Sequence, residues 1–559
     1  MAPLLRQQLR KQLAMPTTTI AICLLGLAGG VLAALMIAGF RFAIEYGAHL
    51  IGNDTYWQEP LPTTLRFTIP IAAALLIYGI FRLSGSRYVR MGIPYVIHRM
   101  KQHYGMLPWR STVNQFFGGI IALIAGYSVG REGPAVHLGA AASTWLGFHV
   151  DAPKNALRTL AACGIAAAIA ASFNTPLAAM VLVMEVVLRE YKVHVFIPVM
   201  LSAVAGSLIT EEIFGVASEL AMLSAQDIPT TQLPWVVILG VVLGVVGVIF
   251  KKLMLDVMDT VKDMSLLTRL LFAGIITASL AVIIPTSLGP GLTAIEQVIN
   301  HQGEMSLLTT LLLAKLFAAA IALGMGIPGG LIGAVFGIGA IIAAVFVGAV
   351  DVLGIQQALS FDSFILLGMA GILAACIHAP MAALLAIVEL SRSVEIIIPA
   401  MLVIVPAYLI SSQLFKSKSI FIAQLELQDL PYQLAPVHVA LQKTGVENAM
   451  ETDFKLLLEP TQNELLESAQ AKTVIVMSVD EDNQPLYRLV SYDITAGDSP
   501  SLSYTPIKGL RITSTLTEVY DEIGQQRRGA VYIYESNGEH PCGIVTWETV
   551  RKALQRELA

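Results

Sequence analysis

Charge is scarce in this chain of 559 residues: Asp, Glu, Lys and Arg make up 13% of it, against 55% hydrophobic residues and a mean hydropathy of +0.69. A soluble fold of this length needs far more charge at its surface, so the composition points to a polytopic membrane protein. Cysteine is equally sparse. Cys23, Cys163, Cys376 and Cys542 lie far apart, three of them in apolar runs, which excludes a disulfide framework and a metal cluster. There is no basic excess either: the net charge of -5 excludes a nucleic-acid partner. The shortage of charge is uneven, because acidic and basic residues crowd into the last quarter.

Residues 1–19 carry Arg6, Arg10 and Lys11 ahead of an apolar run that begins at Ile20 and continues through Met36 without a clean small-residue cleavage site. A retained first helix with a cytoplasmic N-terminal segment is expected. Apolar segments then follow at about 20–40, 66–82, 114–129, 157–187, 194–210, 235–250, 267–285, 306–350 and 363–413. Several are too short, or too broken by glycine, to cross a core of about 30 Å. Such segments read as discontinuous, re-entrant helices lining a protected cavity. An internal repeat supports this: Gly164 to Glu185 aligns without gaps with Gly368 to Glu389, matching Pro176 with Pro380. Two helical halves are implied, at about 20–215 and 234–424, whose relative direction the alignment leaves open.

Within the run from Thr112 to Val150, the only Asp, Glu, Lys or Arg residues are Arg131 and Glu132, in Gly130-Arg131-Glu132-Gly133-Pro134. A charge at membrane depth is costly unless it faces a cavity or a partner, so its default reading is functional. The glycines free the backbone, whose amides can point at an anion where a helix begins. The bland alternative is a buried Arg131–Glu132 pair.

Gly130 to Pro134, followed by Gly326-Ile327-Pro328-Gly329-Gly330 and by Cys376-Ile377-His378-Ala379-Pro380, resembles the CLC family of chloride channels and proton/chloride antiporters over residues 20–424. The resemblance implies an all-α membrane domain of inverted repeats, a homodimer with one pore per subunit, and a small anion held where helix N-termini converge. Glu132 resembles the family's gating glutamate, with Arg131 and Gly133 lining the same mouth. Leu331, Ile332 and Gly333 align with a second anion-binding helix start, where the family's phenylalanine and proline are Ile332 and Ala334.

Three departures bear on mechanism. The family's Gly-Ser-Gly-Ile-Pro is Arg90-Met91-Gly92-Ile93-Pro94 here, so a hydroxyl donor is replaced by a thioether. Methionine at this place also resembles the fluoride-exporting branch. Phe421 stands where the family has a tyrosine, which removes a second donor. Val186 occupies the inner proton-path position usually held by glutamate, and cannot titrate. The neighbouring Glu185 matches Glu389 in the repeat, which suggests that both hold helix ends. His137 and His378 read as packing or hydrogen-bonding residues.

After Gln424 the character changes. Residues 436–559 combine charges, turn residues at Asp482-Asn483 and Asn537-Gly538, and β-type runs at 473–477 and 530–534, as expected of an α/β domain. Val446 to Met450 and Gly543 to Thr546 resemble the opening and closing of a pair of CBS motifs. Nucleotide-binding CBS motifs have an aspartate where this chain has Thr549, and Asp493 lacks the usual preceding glycine, so an adenine nucleotide stays an open partner.

The resulting expectation is a membrane-embedded, homodimeric chloride pathway of the bacterial inner membrane with both termini cytoplasmic. It leans to gated passive conduction, because Val186 and Phe421 remove parts of a proton-coupled machinery. Proton/chloride or proton/fluoride antiport is the alternative, carried by Glu132. An intramembrane enzyme would need a nucleophile or acid pair near Glu132, and neither Ser128 nor His137 has an acid partner other than Glu132 itself. No cofactor is expected.

Overall fold

The computed structural model describes residues 3–51, 61–85, 90–215, 223–352, 359–458, 460–461, 464–465, 467–468, 473–479, 485–493, 501–535 and 540–558. The chain divides into two compact units: Cys23–Leu146 with Thr159–Tyr432, and Met1–Ile22 with Gly147–Arg158 and Gln433–Ala559.

The larger unit is helical, and its halves correspond helix for helix. The first half runs α2 (Ile20–Leu50), α3 (Thr63–Leu83), α4 (Gly92–Gln102), α5 (Trp109–Ile124), α6 (Glu132–His149), α7 (Lys154–Phe173), α8 (Pro176–Leu182) and α9 (Val193–Phe214). The second runs α10 (Leu233–Thr260), α11 (Leu266–Ile283), α12 (Gly291–Asn300), α13 (Met305–Met325), α14 (Ile332–Val352), α15 (Phe361–Ile377), α16 (Pro380–Ser391) and α17 (Ile397–Leu409), and α18 (Ile420–Leu427) follows. Among the described residues nine helices are long and apolar enough to cross a membrane, and α15 and α16 fall among the shorter apolar ones.

The same punctuation recurs in both halves. Gly126 and Gly326 follow α5 and α13 with φ of 75° and 90°, the left-handed conformation that glycine adopts without steric cost. Asn174 and His378 follow α7 and α15 at φ of 56° and 61°, and Arg189 and Arg392 repeat the pattern after the next helices. The runs expected at 306–350 and 363–413 are therefore each broken: residues 326–331 separate α13 from α14, and His378 and Ala379 separate α15 from α16.

Equivalent elements also meet. Helix α3 packs on α11, and α8 on α16. The Glu185 carboxylate accepts from the amides of Met381 (3.3 Å) and Ala382 (2.9 Å) at the start of α16. Glu389 accepts from Leu177 (2.9 Å) and Ala178 (2.8 Å) at the start of α8. Each carboxylate, near the end of its own helix, caps the start of the other. That exchange requires α8 and α16 to run antiparallel, so the halves are inverted, and it gives Glu185 and Glu389 the shared structural role that their alignment suggests.

The second unit is α/β. A four-stranded sheet has order β1 (Phe454–Leu458), β2 (Thr473–Val479), β3 (Pro485–Asp493), β4 (Ser501–Pro506), with β1 and β2 parallel and the other pairs antiparallel. A three-stranded sheet joins β5 (Gly509–Arg511) in parallel to β6 (Ala530–Tyr534), and β6 antiparallel to β7 (Pro541–Thr546). The chain closes with a helix over Trp547–Leu558. The segments opening the two motifs pair through Val446 N to Ser514 O (2.9 Å) and Leu516 N to Thr444 O (3.0 Å), a CBS-like arrangement. The turns expected at Asp482-Asn483 and Asn537-Gly538 lie outside the described residues. The N-terminal segment is part of this unit: α1 (Pro3–Ala14) carries Arg10, whose guanidinium donates to Glu447 and Glu535, both at 2.8 Å.

Candidate functional site

Helices α6 and α14 both begin beneath a glycine loop, and the loops are joined to each other. Gly130 N donates to Gly330 O at 2.7 Å, and Gly330 N returns a bond to Gly130 O at 2.5 Å. Locking the loops back to back brings two helix starts together at the pseudo-two-fold. The first intrahelical donors are Ala135 (to Arg131 O) and Val335 (to Leu331 O), so the amides just before them have no helical acceptor. Pro134 has no N–H, whereas Ala334, at the equivalent place, keeps one. The alanine that departs from the family pattern therefore adds a donor at the start of α14.

Glu132 is the first residue of α6 and is 2% exposed. Its carboxylate lies against three glycines. A Cβ on Gly130 or Gly330 would collide with Oε2, and one on Gly333 would stand 2.7 Å from Oε1. Arg131 is anchored at the end of α7: Nη2 donates to the Ser172 carbonyl, and the guanidinium lies 5.4 Å from the Phe173 ring centroid. The helix-end carbonyl and the ring face both favour a cation.

Two cavities flank this junction. The first is lined by Arg131, Glu132, Gly333 and Gly291, and also by Arg41 and Glu45, which form an ion pair at 2.7 Å. The second is lined by Met91, Gly92, Ile93, Gly133, Leu331 and Phe421. The cavities are symmetry mates. Gly291 starts α12 and Gly92 starts α4, equivalent helices, and Gly333 and Gly133 exchange places in the same way. The structure thus gathers the expected site residues, dividing them between the two cavities. Ile332, the first residue of α14, lines neither, and its side chain is buried in the core.

Phe421 is held by the start of α18. Ser419 Oγ donates to Ile377 O (2.6 Å), and Lys251 Nζ donates to Lys418 O (3.2 Å), Ser411 Oγ (2.7 Å) and Ala375 O (3.0 Å). His378 Nε2 lies 3.3 Å from Lys251 Nζ and 3.2 Å from Ser411 Oγ, in the hydrogen-bonding role expected of it. Val186 is buried in the turn after α8, which packs on α4. His137 is fully buried, 3.4 Å from Ser111 Oγ and stacked beside Tyr95.

The second cavity also has polar lining that sequence reasoning missed: Arg269 and Gln115, with Gln424 and Gln428 at α18. Arg269 bears the one charge in α11 and donates to Met325 O at 3.2 Å. The argument applied to Glu132, a lone charge in an apolar helix, would have flagged it. Gln115, on α5, accepts from Gly92 N at 2.9 Å through Oε1. Among the described residues that line this cavity none brings a carboxylate, and the charged one, Arg269, is positive.

In the second unit, Thr549 helps line a cavity with Thr444, Asn448 and Lys552, its hydroxyl 3.1 Å from that of Thr546. The Asp493 side chain lies outside the described residues.

Inverted halves, paired helix starts and a carboxylate between two small cavities define a membrane transport protein built for a small anion. Comparison with known proteins agrees. A family described as "Voltage gated chloride channel" matches residues 69–412. The H(+)/Cl(-) exchange transporter ClcA of Vibrio vulnificus is 28% identical over 445 residues, covering 75% of this chain and 94% of that protein. The protein of the same name from Vibrio campbellii is 26% identical over 418 residues, covering 71% and 87%. Among solved structures, a slow cyanobacterial Cl-/H+ antiporter has a TM-score of 0.63 at 22% identity, covering 73% of this chain and 97% of that one. A eukaryotic CLC transporter has a TM-score of 0.60 at 18% identity, covering 94% and 97%. The chain belongs to the voltage-gated chloride channel family, the CLC proteins.

Proposed function

We propose that this CLC protein is a proton-coupled chloride antiporter rather than the passive channel to which Val186 and Phe421 pointed, and that it transports without catalysing a reaction. The observation that carries the reading is the Glu132 carboxylate, seated on Gly130, Gly330 and Gly333 at the junction of the two cavities. Ionised, it occupies with its own negative charge the place where two helix starts would hold an anion. Protonated, it releases that place, so one group couples a proton to an anion. The curated relatives at 26% and 28% identity are named as proton/chloride exchangers, which supports antiport over conduction. Because Val186 carries no proton, the proton reaches Glu132 by another path, and water in the second cavity is the simplest carrier.

The proposal extends to a homodimer in the bacterial inner membrane with both termini cytoplasmic. Fluoride is a second reading, carried by the Met91 thioether in the second cavity.

The test is the reversal potential of purified protein in liposomes under a chloride or fluoride gradient, with and without a pH gradient. A shift with pH is expected, and Glu132→Gln should abolish it while leaving anion flux. A wild-type potential that follows the anion gradient alone would establish a channel and overturn the proposal.

A further inference from the structure

Gln115 is fully buried, and its amide has one end accounted for. Oε1 accepts from the N–H of Gly92 at 2.9 Å, which fixes the orientation of the amide, because only the oxygen can accept. The remaining end is Nε2, with two N–H donors and no hydrogen-bond partner among the described residues. A buried, unanswered donor pair carries a desolvation cost that native structures rarely leave standing, and it calls for a ligand. The residue lines the second cavity beside Met91, Phe421 and Leu331, none of whose side chains has a strong donor, and beside the positive Arg269; the cavity's other glutamines, Gln424 and Gln428, are only half-buried, so Gln115 is its fully buried amide.

The repeat sharpens the point. Counting from the paired glycines Gly130 and Gly330, the residue equivalent to Gln115 on α5 is Lys315 on α13. Lys315 donates to the carbonyls of Leu288 (3.0 Å) and Gly289 (2.9 Å), just ahead of the start of α12. Both positions therefore anchor an equivalent helix start. Lys315 does so with its donors, whereas Gln115 does so with its acceptor, which leaves the donors over.

We propose that the side-chain amide of Gln115 is the anion-binding donor of the second cavity, presenting Nε2 to a halide where Met91 and Phe421 present none. This rests on the anion-transport reading above. It makes Gln115 a bifunctional residue: Oε1 orients the start of α4, and Nε2 holds the ion that the start of α4 faces.

The experiment is a calorimetric titration of sodium chloride, and separately sodium fluoride, into detergent-solubilised full-length protein. Wild type, Q115L, Q115E and Q115K are compared, each checked for a monodisperse elution profile. Q115L, which has neither donor nor acceptor, should bind roughly ten- to a hundredfold more weakly, the range expected for a lost hydrogen bond to an ion. Q115E, which keeps the acceptor for Gly92, should bind at least as poorly, and it supplies the answer if Q115L does not purify. Q115K, with donors and no acceptor, should stay within a few-fold of wild type. Unchanged affinity in Q115L or Q115E would overturn the inference alone. So would a loss in Q115K equal to that in Q115L, because the amide would then matter only as an acceptor. Absence of halide binding in the wild type would overturn the transport reading and this inference with it.

Discussion

Gly333→Ala is a way to move the Glu132 carboxylate without changing its charge. The added Cβ would stand 2.7 Å from Oε1 of Glu132, 3.3 Å from the Gly130 Cα and 3.4 Å from the Glu132 Cδ. Only the first of these is a severe overlap, and it falls on the far end of a flexible side chain. Restoring an ordinary contact needs a withdrawal of about 0.7 Å, and the accompanying off-rotamer strain costs roughly 0.5–1.5 kcal/mol. That is about a two- to tenfold loss in the population of the seated carboxylate relative to a displaced one. Chloride efflux from liposomes at neutral pH should rise by about the same factor, with a flatter pH dependence. The fold should tolerate the change, since alanine near a helix start stabilises by up to about 1 kcal/mol relative to glycine. Gly39→Ala, on α2 with no heavy atom within 4 Å of its would-be Cβ, is the matched control. A folded Gly333→Ala protein with control-like efflux and pH dependence would refute the placement of the carboxylate as the obstacle.

Glu185→Gln and Glu389→Gln should each lower stability by about 1 kcal/mol, because each removes one charged acceptor from a helix start, and their effects in a double-mutant cycle should be nearly independent. Glu185→Gln should also leave the proton-to-chloride ratio unchanged in paired flux measurements, and a lost proton flux would show that Glu185 carries protons instead. Arg10→Met should destabilise the second unit by about 3 kcal/mol, because it leaves the carboxylate of Glu447, whose side chain is 0% exposed, buried beside an apolar replacement. Burial already holds the Glu447 carboxyl above the usual carboxylate range, against the opposing pull of Arg10. With a folded value above the unfolded one, the Arg10→Met deficit should be full at neutral pH and shrink as pH falls through that folded value. Thermal melts between pH 7 and pH 4 measure it, and a deficit that does not change with pH would count against Glu447 as its source.

What could be read in advance depended on whether a signal was local. Glu132 stood out because a charge in an uncharged run is conspicuous on its own. The repeat was visible because Pro176, Pro380, Glu185 and Glu389 hold fixed places around helix breaks, and such breaks need particular residues whatever the packing. The internal alignment alone left the direction of the halves open, since it is the same for parallel and inverted copies, and only the family resemblance implied inversion. Glu185 on the amides of α16 and Glu389 on those of α8 bear that expectation out. Gln115 escaped notice for a related reason. One glutamine in an apolar helix is unremarkable until Gly92, 23 positions earlier, is seen to occupy one end of it and a cavity the other. Arg10 is the opposite case. Its charge read as an N-terminal flag, whereas its partner Glu447 lies 437 positions away.

The pseudo-two-fold also explains why the site has a direction. The backbone treats the halves alike: Gly130 and Gly330 bond to each other, and α4 and α12 each bring a glycine start to a cavity. The side chains do not. Arg131 and Glu132 line one cavity, while Leu331, equivalent to Arg131, lines its mate, and Ile332, equivalent to Glu132, points into the core. A titratable carboxylate thus stands at one end of the junction with no counterpart among the described residues at the other, where Phe421 and the positive Arg269 line the cavity. The described lining of the second cavity is neutral or positive, whereas the first sets two arginines, Arg41 and Arg131, beside two carboxylates, Glu45 and Glu132. The scaffold alone would make the two ends equivalent, so any difference between them rests on these side chains, and under the antiport proposed above the proton-sensitive group is Glu132.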